Sequence, residues 1–384
     1  MDILNKKTLQ ELLSVSNETC LSLYMPAHQT HPENLQDPIV FKKLLKHLEA
    51  SLLQHYTAKE VSQYLAPLES LMNDKVFWNH TPPGVAVFST EGFFKVIGLQ
   101  TAVEELAIVA NSFHTKPLRQ YLQTADRYQV LGLSLDRIQL FEGNRHSLVE
   151  IALPEEMPKT LTAVLGKDVT EKHCTVASYG GIGNGSVDMH HGDGGIKDQV
   201  DNDTEKFFRI ISNEISENYS KPSGLPLILA ALPEHHSLFQ KVNKNPLLIK
   251  AGITKNPEHI PADTLTKMAW EVMEPGYLLK IKSLADQFGE GRANNRSSDD
   301  VEISAAAVAA GRVATLLVEA GRIIPGKITD SNTGAIENGL LKNPETDDLL
   351  DDIANMATKM GSDVLVLPPH DMPTHTGLVA IFRY

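Results

Sequence analysis

The first third of the chain alternates between helical and extended hydrophobic patterns. In residues 39–56, "IVFKKLLKHLEASLLQHY", apolar positions recur about every 3.6 residues, which predicts an amphipathic helix. Residues 20–26, "CLSLYMP", form a short apolar run that predicts a strand ended by proline. Residues 84–99, "GVAVFSTEGFFKVIGL", place two apolar runs on either side of Glu91 and Gly92. This pattern is typical of a β-hairpin.

The middle third predicts an α/β layer interrupted by a glycine-rich segment. Residues 128–153 contain apolar runs separated by turn-forming residues, so we expect consecutive strands. Residues 204–219, "TEKFFRIISNEISENY", have a helical period, and "LPLILAAL" at 225–232 is typical of a buried strand. We expect the glycine-rich stretch 178–203 to be a loop projecting from this layer.

The last third alternates helical and strand patterns up to its end. Residues 263–291 predict helix on both sides of Pro275 and Gly276. Residues 301–320 pass from an alanine-rich helix, with Ser298 as its expected N-cap, through Gly311 into a strand. Further on, 346–361 predict a helix ended by Gly361, and 362–369 and 377–384 predict strands. These patterns favour a three-layer α/β domain.

The chain length predicts more than one domain. At 384 residues and about 150 residues per domain, two or three domains are expected. The patterns favour three mixed α/β domains, at 1–122, 123–258 and 259–384, of which the middle one carries the glycine-rich loop.

Composition restricts the functional classes. The net charge of −13 argues against non-specific nucleic-acid binding over the whole surface, so any RNA contact must be local. The two cysteines, Cys20 and Cys174, are too far apart to suggest a metal motif. Neither a signal segment nor a membrane span is evident, and we expect a cytoplasmic protein that needs no membrane.

The glycine-rich loop contains several residues that could carry chemistry. "GGIGNGSVDMHHGDGG" at 180–195 matches neither known glycine-rich phosphate-binding pattern. His190, His191 and Asp193 are suitable metal ligands, although adjacent histidines rarely reach one ion, and no cofactor or metal is predicted. No nucleophile motif is found. A metal-dependent hydrolase or nuclease and a solvated loop without a partner both remain open.

The C-terminal sequence resembles a known superfamily. "LLDDIANMATKMGSDVLVLPPHDMPTHTGLVAIFRY" at 349–384 is similar to the end of the archaeal and eukaryotic peptide-chain release factor and of its rescue relative Pelota. Residues 377–384 match the ending G-[ILV]-[ALV]-A-[ILV]-L-R-Y, with Phe382 in place of leucine. The segment "AAAVAAGRVATLLVEAGR" at 305–322 resembles the helix, glycine cap and strand upstream of it.

The bacterial branch of this superfamily resembles nearly the whole chain. The resemblance is found in the segments "CLSLYMPAHQTHPENLQDPIVFKKLLKHLEASL", "FFRIISNEI", "LPLILAALPEHHSLFQKVNKNPLLI" and "AWEVM". The resemblance implies a divergent N-terminal domain, a middle release-factor-like domain, and a C-terminal domain similar to kink-turn RNA-binding ribosomal proteins.

The resemblance also locates a candidate site. In release factors, Gly-Gly-Gln precedes a helix of the middle domain and enters the peptidyl transferase centre. Here Gly194 and Gly195 match the glycines, Ile196 replaces the glutamine, and Gln199 follows three residues later. Isoleucine has no hydrogen-bonding group to position water. Whether the protein hydrolyses peptidyl-tRNA therefore stays open.

A function in translation termination or ribosome rescue follows from the resemblance. We expect the loop to approach the acceptor end of the tRNA, with His190, His191 and Lys197 contacting RNA. Arg292 and Arg296 are further candidates for phosphate contacts. The expected partners are the ribosome and tRNA, with a possible protein partner at the C-terminal domain; the oligomeric state is not predicted. A non-catalytic interaction protein of the same fold is the remaining alternative.

Overall fold

The computed structural model describes residues 2–99, 102–123, 126–165, 193–341 and 343–384. It divides into two compact units. One consists of Met1–Ala125 together with Tyr277–Tyr384, and the other of Asp126–Gly276. The three-domain division remains a prediction.

The described chain is a mixture of helices and strands, as predicted. The helices are α1 Lys6–Ser14, α2 Asp37–Leu52, α3 Ala58–Met72, α4 Lys75–Trp78, α5 Lys116–Leu122, α6 Leu161–Leu165, α7 Asp193–Ile215, α8 Lys221–Ser223, α9 Pro233–Val242, α10 Ala262–Ala293, α11 Val301–Ala309 and α12 Leu349–Lys359. The strands are β1 Asp2–Ile3, β2 Ser16–Pro26, β3 Gly84–Thr90, β4 Phe93–Leu99, β5 Leu106–Ser112, β6 Tyr128–Leu133, β7 Ile138–Gly143, β8 Leu148–Ile151, β9 Leu227–Ala230, β10 Ser297–Ser298, β11 Val313–Glu319, β12 Pro325–Asp330, β13 Ala335–Asn338, β14 Asp347–Asp348, β15 Asp363–Leu367 and β16 Leu378–Phe382.

The N-terminal part of the first unit is a five-stranded sheet in the order β1-β4-β3-β2-β5. The predicted hairpin is present: β3 and β4 pair antiparallel around Gly92, whose φ of 76° lies in the left-handed region. Helices α2 and α3 pack against the sheet through buried side chains such as Phe41, Leu48 and Leu65. The buried residues of α2 recur with the helical period, which is why the sequence pattern predicts this helix.

The C-terminal part of the first unit has a four-stranded sheet in the order β10-β16-β11-β15. Strand β11 pairs parallel with β15 and antiparallel with β16. Both predicted glycine stops are confirmed, because Gly311 and Gly361 follow α11 and α12 with φ of 67° and 74°. A small separate sheet has the order β13-β12-β14.

Of two expectations about this region, one is confirmed and one is wrong. Helix lies on both sides of Pro275 and Gly276, as predicted, within the single helix α10. Apolar residues on both sides of the proline, including Met273 and Tyr277, are buried. The predicted N-cap Ser298 is wrong. The N-cap of α11 is Asp300, whose carboxylate accepts the N–H of Ile303 at 2.9 Å, whereas Ser298 belongs to β10.

The second unit is a four-stranded sheet in the order β8-β7-β6-β9, covered by α7 and α9. Strands β6 and β9 are parallel, and the other pairs are antiparallel. The predicted strands at 128–153 and the buried strand at 225–232 are confirmed. No helix within the described ranges combines the length and the apolar character needed to cross a bilayer.

Candidate functional site

Helix α7 begins earlier than the sequence predicts. Its first residue is Asp193, so Gly194 and Gly195 lie in the first turn and Gln199 lies one turn after Gly195. The predicted loop 178–203 is therefore wrong over its last part, which is helical, while residues 178–192 lie outside the described residues.

Side-chain contacts also support the early turns of α7. The hydroxyl of Thr204 donates to the carbonyl of Val200 at 2.8 Å. Both Thr204 and Asp203 are buried, and Lys206 lies 3.4 Å from the Asp203 carboxylate. Both contacts are local to the helix, one between residues four apart and one between residues three apart.

The remainder of α7 is fixed by an apolar face. Phe207, Phe208, Ile211 and Ile215 are fully buried against the sheet and α9. The ring of Phe208 meets the ring of Phe239 edge-on at 5.9 Å. The rigid body of the helix therefore sets the position of its first turn.

A polar chain anchors the far end of the helix. The π-helical turn Ser216–Ser220 continues α7, and the buried Ser220 hydroxyl donates to the side chain of Gln129 on β6 at 3.3 Å. Gln129 in turn donates to Glu142 on β7 at 3.2 Å, and Glu142 pairs with Arg127. Each polar side chain of this chain of contacts therefore has a partner.

Only one of the three RNA-binding residues predicted in the glycine-rich segment lies within the described residues. Lys197 belongs to α7 by its backbone, two residues after Gly195. His190 and His191 lie outside the described residues. The structure therefore brings Gly194, Gly195, Lys197 and Gln199 into one helical segment.

Arg292 and Arg296 lie together at the end of α10, in the other unit. A turn joins them, in which the Arg296 N–H donates to the carbonyl of Gly291 at 2.8 Å. Asn295 in this turn has a φ of 56°. Arg292 is well exposed and reaches Asp299 only at 3.8 Å, so its guanidinium keeps most of its donors for another ligand.

Sequence reasoning missed two further arginines beside this turn. The Arg383 N–H donates to the carbonyl of Arg312 at 2.7 Å, and the neighbouring Phe382 N–H donates to the carbonyl of Arg296 at 2.9 Å. Pairing of β10 with β16 thus gathers Arg296, Arg312 and Arg383 at one sheet edge. Arg383 belongs to the C-terminal motif, but separation along the chain hides its proximity to Arg296.

The fold and the site define an α/β protein. Its second unit has a glycine pair in the first turn of a helix that packs against the sheet. The family model "Bacterial archaeo-eukaryotic release factor family 3" matches residues 127–312. The resemblance to the bacterial branch of the archaeo-eukaryotic release factor superfamily is thus confirmed over residues 127–312. No curated protein sequence matches the chain.

Several solved structures are similar to the chain at low identity. The archaeal translation termination factor aRF1 has 17% identity, with 98% of this chain and 96% of that chain covered, and a TM-score of 0.24. Dom34 of S. cerevisiae, a translation termination-like factor, has 12% identity, 76% and 74% coverage and a TM-score of 0.36. A model of ribosome-bound archaeal Pelota and ABCE1 has 10% identity, 100% and 95% coverage and a TM-score of 0.38.

Proposed function

We propose that the protein is a ribosome-associated factor of translation termination or ribosome rescue. In this proposal the segment leading into α7 approaches the acceptor end of peptidyl-tRNA, and Gly194 and Gly195 allow the backbone to come close to RNA. The supporting observation is the family match, which covers the segment with the glycine pair at the start of α7.

The proposed activity is ribosome binding without efficient peptidyl-tRNA hydrolysis. Ile196 stands where release factors have glutamine, and its side chain can neither donate nor accept a hydrogen bond to water. Gln199 lies one helical turn from Gly195 and thus not at the equivalent position. We propose that Lys197, His190 and His191 contact RNA from the same segment.

We further propose that the three predicted domains divide the work. The C-terminal domain, 259–384, would bind RNA or a protein partner, in keeping with its resemblance to kink-turn-binding proteins. Arg292 and Arg296 are its proposed phosphate ligands, because they are exposed and only weakly paired. A local arginine group reconciles RNA binding with the overall charge of −13.

Co-sedimentation with purified ribosomes tests this proposal. Wild-type protein should pellet with ribosomes that carry peptidyl-tRNA at low salt, and less of it should pellet at high salt. A release assay on the same complexes should show no peptide release above background, and Ile196→Gln should raise it. Absence of the protein from the ribosome pellet at low salt would contradict the proposal.

The arginine contribution is tested by the double variant Arg292→Ala/Arg296→Ala. Loss of two phosphate contacts should reduce the slope of log affinity against log salt by about 1.5. Lys280→Ala/Lys282→Ala on the same helix is the matched control, since it removes two exposed positive charges elsewhere on α10. Equal effects of the two double variants would show that only net charge matters.

A further inference from the structure

A cluster of buried charged side chains lies in the first unit, apart from the proposed RNA-binding segments. It joins the connection between β5 and α5 to the start of α12. Its central members are His114, Asp347 and Asp351, which are 1%, 3% and 0% exposed. Buried charges are costly unless they are paired or bind a metal ion, so this cluster requires a physical explanation.

The three central side chains converge on one point. His114 Nδ1 lies 3.4 Å from Asp347 Oδ1 and 3.9 Å from Asp351 Oδ2. One ligand atom from each residue lies within 4.8 Å of those of the other two. Two atoms bound to one ion at about 2.0–2.2 Å are at most about 4.4 Å apart. The three ligand atoms therefore need to move together by only a small distance to bind one ion.

Two buried atoms in the cluster lack hydrogen-bond partners. These are His114 Nδ1 and Asp347 Oδ2. The surrounding groups hold the side chains in place: the Asp348 N–H donates to Asp347 Oδ1 at 2.7 Å, and the Thr115 N–H donates to Asp351 Oδ2 at 3.0 Å. Asp351 also accepts from the Thr115 hydroxyl at 3.3 Å and from the Asn355 amide at 3.1 Å, so it would bind an ion through a remaining lone pair. Such supporting bonds orient the ligands in metal sites.

The charges around the cluster do not balance. Four aspartates, at positions 347, 348, 351 and 352, surround two obligate cations, Lys116 and Arg119. Lys116 pairs with Asp348, and Arg119 donates to Asn355 at 2.6 Å rather than to a carboxylate. With His114 neutral, the excess is two negative charges, which one divalent ion offsets. Burial raises the pKa of Asp347 and that of Asp352, and, although burial opposes it, the neighbouring Asp351 and Asp347 raise the pKa of His114, so proton uptake is the rival way to neutralise the cluster.

A cavity lies beside Asp347. Asp347, Asp352 and Asn355 line a cavity of about 330 Å³, whose other walls include Lys327 and Glu345. A cavity of this size holds several waters, which can complete the coordination of an ion bound by three protein ligands.

We propose that His114, Asp347 and Asp351 bind one divalent transition-metal ion, Mn²⁺ or Zn²⁺. One imidazole and two carboxylates are the donor set that such ions accept. The ion stabilises the first unit by tying the start of α5 to the start of α12. This inference is independent of the proposed function in translation.

Metal content and thermal melting test the site. Full-length protein without a tag is dialysed against EDTA and titrated with Mn²⁺ or Zn²⁺ alone, followed by calorimetry and elemental analysis. We expect one bound ion per chain and a rise in melting temperature of at least about 3 °C. Asp347→Asn and His114→Gln should each lose the ion and the melting response, while circular dichroism verifies their folding.

Two controls locate the ion. Asp126→Asn changes a buried aspartate of the other unit that likewise has an unpartnered oxygen, and it should retain the ion. His190→Asn/His191→Asn removes the alternative ligands of the glycine-rich segment and should also retain it. Loss of the ion in this double variant but not in Asp347→Asn would overturn the site. Wild-type protein that binds neither metal and melts unchanged would show that protons neutralise the cluster.

Discussion

At the scale of single residues, packing explains two positions of the terminal motif. Gly377 has a φ of 93°, and a Cβ atom there would lie 2.5 Å from the side chain of Arg322. Arg383 donates to the carbonyl of Gly311 at 3.2 Å and to that of Gly361 at 2.9 Å, directly after α11 and α12. Its guanidinium thus satisfies the C-terminal ends of two helices.

Arg383→Ala should lower the free energy of unfolding by about 1–2 kcal/mol, because it removes charge-assisted bonds to helix ends. Arg296→Ala is the matched control, since its guanidinium makes one long bond of 3.4 Å to a carbonyl. It should change stability by less than about 0.5 kcal/mol. Urea denaturation of both variants checks this, and equal losses would refute the capping role of Arg383.

The environment of Asp126 predicts that the free energy of unfolding of the second unit depends on pH. Its buried carboxylate receives the Arg145 Nε–H at 3.1 Å, but burial raises its pKa above the usual 3.8 despite this pairing. The stability gained from protonated Asp126 is complete below pH 3.8 and is lost as pH rises through the raised folded-state pKa.

The wild type should therefore lose stability relative to Asp126→Asn as pH rises from 3.8 towards neutrality. Urea denaturation of both proteins at several pH values measures this change in relative stability. The direction in which the difference between the two urea midpoints changes with pH is the test. A difference that shifts in favour of the wild type over this range would contradict the raised pKa.

At the scale of elements, period and turn chemistry predict much of the fold. The helix 37–52, the hairpin around Gly92 and the glycine stops at 311 and 361 all follow from local patterns. The early start of α7 and the unbroken course of α10 at Pro275 do not, because glycine, aspartate and proline have low intrinsic helix propensity.

The features that the sequence does not predict depend on contacts between distant parts of the chain. His114 and Asp347 are separated by most of the chain, and neither belongs to a spaced motif. Arg383 reaches Arg296 only through the pairing of β16 with β10. Local sequence patterns carry no signal for such contacts. The glycine pair, in contrast, could be found from the motif alone, although its helical state could not.

The glycine pair in α7 allows stability and function to be separated. Glycine in a helix costs about 1 kcal/mol relative to alanine, so Gly194→Ala and Gly195→Ala should leave stability unchanged or raise it by up to that amount. If close backbone approach to RNA matters, both variants should bind ribosomes more weakly. Thermal melting and co-sedimentation check the two effects. Gly289→Ala in α10, where a Cβ atom meets nothing within 4 Å, is the matched control and should keep binding intact.

At the scale of the whole molecule, an acidic protein is proposed to bind an RNA-rich partner. A net charge of −13 disfavours diffuse attraction to ribosomal RNA, so binding must depend on specific segments. The segment at the start of α7 and the arginines beside β10 are the two proposed contacts. The family match over residues 127–312 supports this assignment, and the buried face of α7 packs its later turns onto the sheet.

A site-specific cross-link tests the central proposal most directly. A photoreactive phenylalanine analogue replaces Ile196, and the protein is irradiated with ribosomes carrying labelled peptidyl-tRNA. We predict a cross-link to the acceptor end of the tRNA from this position and none from Leu340, an exposed control residue. Ribosome binding without any cross-link from position 196 to tRNA would contradict the proposal.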